Sequence, residues 1–180
     1  PLQYIILGLY LWTITSMPLL WYEYVGITTA MGLACGALGI NVAHELGHRS
    51  NKFEQFLSKS LLLTSLYMHF FIEHNRGHHK NVSTPNDPAT SRFNESFYAF
   101  LPRTVFGSWM SAWHLEAQRL KKVNQNFWNP WHNEMLRFQI IQLLFVAAIY
   151  LAFGWVGTVG FIASAIIGFS LLEIVNYIEH

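Results

Sequence analysis

The sequence predicts an all-α protein, a polytopic bundle of transmembrane helices. Its composition is the first reason: 52% of the 180 residues are hydrophobic and only 12% are charged. A soluble domain usually carries about twice that charged fraction. The second reason is a set of five long apolar segments, and the third is the confinement of positive charge to the middle of the chain.

The five apolar segments are the predicted helices of the bundle. A helix needs about 20 residues to cross a hydrocarbon core about 30 Å thick. The first, second and fifth segments reach that length, whereas the third and fourth are near the lower limit and are either spans or deeply inserted helices. A buried core helix is the alternative for any one segment, but five in so short a chain favour a membrane protein. The segments are residues 2–21, 25–44, 56–73, 138–153 and 156–175.

All eleven Lys and Arg residues lie between Arg49 and Arg137. Positive residues mark cytoplasmic loops, so residues 49–55 and 76–137 are expected to face the cytoplasm. The third segment then carries positive charge near both ends, so either it is a hairpin-like or tilted helix, or the short 49–55 loop does not follow the rule. A net charge of +1 gives no basic footprint for a nucleic acid. The single cysteine, Cys35, excludes a disulfide framework and a thiolate cluster.

The long polar part of the chain is predicted to hold a loop and a helix. Residues 81–94 are rich in Pro, Asn and Ser and predict an ordered loop. The later part of residues 95–124 predicts an amphipathic helix with a basic end, in which Trp109 and Trp113 are four residues apart. This helix either lies in the plane of the membrane interface or packs as a soluble helix on the cytoplasmic face.

Histidines gather where the second and third apolar segments end. The second ends in "NVAHELGH", which places His44 and His48 four residues apart on one helix face. The third is followed by "EHNRGHH", where His74 and His78 have the same spacing. His79 is expected to point away from the face that His74 and His78 share. It would then either serve a second metal ion or bridge this pair. Imidazole suits Fe, Zn, Cu and Ni, and ionisable residues at a membrane border are costly without a function.

The number of histidines bears on the kind of metal site. The "HELGH" stretch alone matches zinc peptidases, in which two histidines bind zinc and the glutamate activates water. A catalytic zinc takes three protein ligands, whereas six histidines stand at the ends of apolar segments, which favours two metal ions. Heme held by histidines of different helices is a further alternative, disfavoured by the pairing within one helix. The six predicted ligands are His44, His48, His74, His78, His79 and His180.

Carboxylates beside these histidines are candidates for a supporting role. Ligating histidines usually donate their second ring N–H to a carboxylate or a carbonyl. Glu45, Glu73 and Glu179 each adjoin a predicted ligand, with an ordinary exposed charge as the alternative for each. His69 lies five residues before His74, about 7.5 Å deeper along a helix, and is expected to support the site or the fold.

Three motifs of this chain resemble those of AlkB-type membrane alkane hydroxylases, within the membrane fatty acid desaturase/hydroxylase superfamily. "HELGHR", "EHNRGHH" and "NYIEH" resemble, in this order, the first two histidine boxes and the start of the "NYxEHYGL" motif. By position, His44 and His48 match the first box, and His180 matches the histidine of the last motif. The second box is matched by His74, His78 and His79. The family's third box, "LQRHSDHH", is absent from this chain.

The resemblance implies O2-dependent hydroxylation of the terminal methyl of medium- or long-chain n-alkanes at two non-heme iron ions. Electrons would come from NAD(P)H through a rubredoxin reductase and a rubredoxin. The protein would be a multi-pass protein of the bacterial inner membrane, with its site toward the cytoplasm. Another membrane di-iron hydroxylase or a desaturase is the nearest alternative. Residues 1–180 are expected to be part of a single domain whose N- and C-terminal parts lie outside this chain.

Overall fold

The computed structural model describes residues 2–179, and every regular element among them is a helix. This confirms the all-α class. The chain divides into two compact units. The first unit contains the residues up to Tyr67 and Gln142–Leu172, and the second contains Met68–Ile141 and the residues from Glu173 onward.

The regular elements of the described residues are eight α-helices and two π-helical segments. The π-helical segments join α2 to α3 and α5 to α6. Such turns are rare and frequently occur at functional sites. The α-helices are α1 (Leu2–Ser16), α2 (Trp21–Leu33), α3 (Asn41–Gly47), α4 (Lys52–Leu63), α5 (Phe70–Glu73), α6 (His79–Asn81), α7 (Phe97–Lys122) and α8 (Glu134–Glu179), and the π-helical segments are Ala34–Ile40 and His74–His78.

Helix α1 is shorter than the first apolar segment. Its 15 residues end at Ser16, two positions before Pro18. A proline disfavours helical backbone at the residue before it. The helix is about 22 Å long, so it falls short of the length expected for a span.

The third apolar segment is not one continuous helix, so among the alternatives for residues 56–73 a single span or deep helix is wrong. Leu66 has a left-handed backbone, with φ of 51°. The N–H of Tyr67 donates to the carbonyl of Leu62, and the N–H of Leu66 donates to that of Leu63, each at 3.1 Å. This Schellman motif closes α4, and the chain turns before α5 begins.

Helix α8 doubles back on itself at Gly154. This glycine has φ of 67° and ψ of −165°, a backbone region open essentially only to glycine. Residues on either side of the break pack together, since the rings of Phe145 and Phe161 lie 5.5 Å apart in an edge-to-face contact. The 46 residues therefore form two antiparallel arms, as the fourth and fifth apolar segments predicted.

Within residues 2–179, two helical stretches are long and apolar enough to cross a membrane by length and composition. They are Trp21–Gly47, with 27 residues, and Glu134–Glu179. The second stretch provides two arms of at least about 30 Å each. Most of its apolar window is exposed rather than buried, as expected of helices that face lipid.

The first unit has its core between α1, α2, the first π-helical segment and the arms of α8. Close approach of the helices requires glycine at one point, because a Cβ on Gly36 would lie 2.6 Å from the carbonyl oxygen of Gly168. Small residues commonly allow such approach between helices in lipid. The buried core residues are Leu7, Tyr10, Leu11, Ile14, Met31, Cys35, Ile149 and Phe161.

In the second unit, the loop before α7 is ordered by Arg103, which confirms the ordered loop predicted at residues 81–94. The guanidinium of Arg103 donates to Glu95 at 2.6 and 2.7 Å. It also donates to the carbonyl oxygens of Pro88 and Thr90, at 3.0 and 2.9 Å. One side chain of α7 thereby fixes two points of a loop that has little regular structure.

Candidate metal centre

The first unit presents one pair of histidines with converging ring nitrogens. His44 lies on α3 and His48 caps its C-terminus. Their Nε2 atoms are 2.9 Å apart, and the rings are edge to face at 4.7 Å. The four-residue spacing therefore brings the two rings together, as the sequence predicted.

The distance between these nitrogens suits a pair of metal ligands. Two nitrogens that each lie about 2.1 Å from one ion, at right angles, are about 3.0 Å apart. Both nitrogens are Nε2, so the pair presents the same atom of each ring. His44 and His48 are among the described residues whose ring nitrogens could hold a metal ion.

The second unit presents another pair, and it is not the predicted one. The Nε2 atoms of His74 and His79 are 3.1 Å apart, whereas His79 was expected to point away from His74. The cause is the π-helical segment His74–His78. The backbone N–H of His79 donates to the carbonyl of His74, and this five-residue bond brings side chains five positions apart to the same side.

His78 belongs to the same cluster but is held by a carboxylate. Its ring stacks on that of His74 at 5.2 Å, and its Nδ1 lies 2.9 Å from Oδ2 of Asp87. Both side chains are buried. Contact of Nδ1 with a carboxylate leaves Nε2 as the available ligand atom, the arrangement usual for metal-binding histidines.

Burial and hydrogen bonding set the charge states of this buried pair. Burial disfavours the cation of His78, but the hydrogen bond and the charge of Asp87 outweigh it and raise the pKa of His78. Burial also works against the Asp87 anion, but hydrogen bonds from His78, Thr90 and the backbone N–H of Ala89 lower its pKa. The carboxylate therefore stays ionised beside the imidazole.

Glu73, predicted as a supporting residue, is buried in the second unit. Burial, followed by the nearby charge of Asp87, raises the pKa of Glu73 to about 7. Its Oε1 accepts a hydrogen bond of 3.4 Å from Ser111. A Cβ at Gly77 would lie 2.5 Å from that oxygen, so any other residue at position 77 would force the carboxylate to move.

Arg76 ties the π-helical segment to two other helices of the second unit. Its guanidinium donates to Glu116 of α7 at 3.0 Å and to Glu134 of α8 at 3.1 Å. Arg119 binds the same Glu116 through two further hydrogen bonds, at 2.7 and 2.8 Å. The Glu116 side chain is fully buried, so these bonds compensate a charge removed from water.

The other predicted supporting residues have different surroundings. Glu45 is largely exposed, and its nearest carboxylate oxygen is 3.9 Å from Nδ1 of His44. Glu179 is exposed. His69 is buried, and loss of solvent lowers its pKa to about 3, so its ring is neutral. His180 lies outside the described residues.

Sequence reasoning missed two buried carboxylates. Asp87 lies in a Pro-bracketed loop, where nothing in the sequence distinguishes it from a turn residue. Glu173 lies within the fifth apolar segment and is 1% exposed. It accepts hydrogen bonds from Thr104 at 2.8 Å and Asn176 at 3.2 Å. An acidic residue inside an apolar helix is a functional candidate, so a signal for Glu173 was present.

The fold and the histidine pairs define a class: an all-helical protein with apolar helices suited to a membrane and imidazole groups suited to a metal. A family model for fatty acid desaturases matches residues 19–180. The chain therefore belongs to the fatty acid desaturase family.

Several curated relatives are alkane 1-monooxygenases. Alkane 1-monooxygenase 2 of Pseudomonas aeruginosa is 42% identical over 160 residues, which cover 89% of this chain and 42% of the relative. The alkane 1-monooxygenase of Ectopseudomonas oleovorans is 39% identical over the whole chain, which covers 44% of that relative. Alkane 1-monooxygenase 1 of Alcanivorax borkumensis is 37% identical with the same coverage. The chain thus spans less than half the length of these relatives.

Proposed function

We propose that the protein of which this chain is a part is an alkane 1-monooxygenase. It would hydroxylate the terminal methyl of medium- or long-chain n-alkanes with O2 to give 1-alkanols. The observation that carries the proposal is the presence of two Nε2 pairs, His44–His48 and His74–His79, in a chain about 40% identical to curated alkane 1-monooxygenases.

The proposed cofactor is a pair of non-heme iron ions. His44, His48, His74 and His79 would be ligands through Nε2, joined by His78. His180, outside the described residues, is proposed on its match to the family motif. Iron, when bound, would activate O2. Asp87 would hold His78 in the orientation that presents Nε2. Glu73, Glu45, Glu179 and His69 stay proposed supporting residues, and burial favours Glu73 and His69 among them.

An apolar cavity in the first unit supports an apolar substrate. Its volume is about 460 Å³. An alkane offers no polar group, so only the shape and apolar character of a pocket can select it. The walls are almost entirely apolar, with Thr28, Thr29 and Tyr24 as the polar exceptions. The remaining lining residues are Ile14, Val25, Trp155, Val156, Val159, Gly160, Ala163 and Ile167.

The proposed setting is the bacterial inner membrane, with a multi-pass domain and the metal site toward the cytoplasm. The confinement of Lys and Arg to residues 49–137 supports this orientation. The chain would be part of one membrane domain. A rubredoxin is the proposed electron donor, supplied from NAD(P)H by a rubredoxin reductase.

A zinc peptidase centred on "HELGH" is not favoured. In that mechanism Glu45 would activate a zinc-bound water, but its side chain is 71% exposed, which gives no enclosed site for that chemistry. The curated relatives cited above are monooxygenases rather than peptidases.

The test is metal content and octane hydroxylation by the full-length protein, purified in detergent and supplied with a rubredoxin system. We expect two irons per chain and 1-octanol as product. His44→Ala and His79→Ala should lose iron and activity while inserting normally into the membrane, whereas His114→Ala, at an exposed position of α7, should keep both. One zinc per chain with no alcohol, or full activity in His44→Ala, would overturn the proposal.

A further inference from the structure

The first half of helix α7 buries two polar side chains and exposes several apolar ones. Thr104 and Ser108 are buried. Tyr98, Phe106 and Met110 are exposed, by 88, 71 and 51%. A helix on the surface of a water-soluble protein has the opposite arrangement. The exposed residues of this half therefore suit an apolar environment.

These exposed residues follow one another at four-residue intervals and form what we call the apolar band. Each step of four residues turns by about 40° around an α-helix. Three steps therefore cover about a third of the circumference, enough for one continuous face. The band consists of Tyr98, Pro102, Phe106 and Met110, all exposed.

No free charge interrupts this part of α7. Arg103 is the only charged residue between Phe97 and Met110, and its guanidinium is bound by Glu95 and by the carbonyls of Pro88 and Thr90. When the apolar band leaves water, few polar groups lose their hydration, so the free-energy cost of desolvation is small.

The contacts of α7 with the ends of α8 fix its direction. Thr104 donates to Glu173 at 2.8 Å, near the end of the second arm. Glu116 accepts from the backbone N–H of Glu134 at 2.7 Å, at the start of the first arm. Positions 104 and 116 are about 18 Å apart along α7. Both contacts lie within the second unit, one near each end of α8.

The first half of α7 contacts the last residues of α8, which belong to the same unit. Glu173 lies six residues before the end of α8, about 9 Å along the helix. The ring of Phe100 also lies 5.2 Å from that of Tyr177. Positions 102 and 106 are each two residues from Thr104, a rotation of about 200°. The apolar band therefore faces away from Glu173, the residue that Thr104 contacts.

We propose that α7 lies in the plane of the membrane interface and that the apolar band contacts lipid. A helix of this kind buries its apolar face at the boundary between headgroups and acyl chains. The face differs from the one marked by Trp109 and Trp113, which are both half-buried and pack against each other. The proposal needs α8 to span a membrane, but it does not depend on the proposed enzymatic activity.

Nitroxide labels on the full-length protein in phospholipid vesicles test the proposal. Phe106→Cys and Met110→Cys provide the labelling positions, and Gln118→Cys on the polar half of the same helix provides the matched control. Cys35, the single cysteine of this chain, is fully buried, so the unmodified protein measures background labelling. The measurement compares collision of the label with O2, which partitions into lipid, and with a water-soluble nickel chelate.

We expect the ratio of O2 to nickel accessibility to be several-fold higher at positions 106 and 110 than at 118. Equal ratios at the three positions would show that the band faces water and would overturn the proposal. Low accessibility to both reagents at 106 and 110 would also overturn it, because a protein surface would then cover the band.

Discussion

At the scale of single residues, Asp87 has the most specific predicted effect on the metal site. Its carboxylate holds Nδ1 of His78 at 2.9 Å. Replacing such a partner of a ligating histidine typically lowers metal affinity about 10- to 100-fold. We expect Asp87→Asn to lower iron affinity of the full-length protein in this range, measured by competition with a chelator. The exposed neighbour Asn86 supplies the control, since Asn86→Ala should retain iron, and equal affinities in both variants would contradict the assignment.

The residue that sequence reasoning misjudged is His79, and the reason is backbone geometry. Spacing rules assume a regular α-helix, in which residues five apart point in different directions. In the π-helical segment His74–His78, residues five apart lie on the same side of the helix, and this brings the ring of His79 next to that of His74. By contrast, the pairing of His44 with His48 was predictable because α3 is regular between them.

At the scale of elements, the break in α8 depends on Gly154. An L-residue at φ of 67° and ψ of −165° is strained by about 1–3 kcal/mol. We expect Gly154→Ala to lower the free energy of unfolding in detergent by about that amount, measured with a denaturant. Gly26→Ala is the matched control, because the added Cβ would meet nothing within 4 Å and α2 is helical there. A Gly154→Ala protein as stable as Gly26→Ala would show that the turn tolerates other backbone geometry.

The elements predictable from sequence are those whose boundaries have a composition signal. The break between the two arms of α8 follows from the "FGWVG" stretch between two apolar runs, and the later part of α7 follows from its amphipathic pattern. The end of α4 has no such signal, because Leu66 takes the left-handed backbone that glycine usually supplies at a helix end. The apolar sequence of residues 56–73 therefore gives no indication of the turn at Leu66.

At the scale of the whole molecule, the two units use different means of stabilisation. The first unit relies on an apolar core with close helix contacts. The second unit contains a buried ionic network in which Glu116 receives hydrogen bonds from Arg76 and Arg119. Such a network is sensitive to the protonation of its central carboxylate, and acid pH should therefore affect the second unit first.

The sign of this pH effect follows from the pKa of Glu116. Burial alone would raise that pKa, but hydrogen bonds from Arg119 and the backbone N–H of Glu134, with the charge of Arg76, hold it below the ordinary 4.5. A lowered folded-state pKa means that the stabilisation is complete above about 4.5 and is lost as the pH falls through the folded-state value. We expect the melting temperature in detergent to fall in this acid range for the unmodified protein. Glu116→Gln should be less stable at pH 7, because it removes the buried carboxylate that Arg76 and Arg119 share, and its melting temperature should fall less steeply below pH 4.5. An equally steep fall in both proteins would assign the acid sensitivity to other carboxylates.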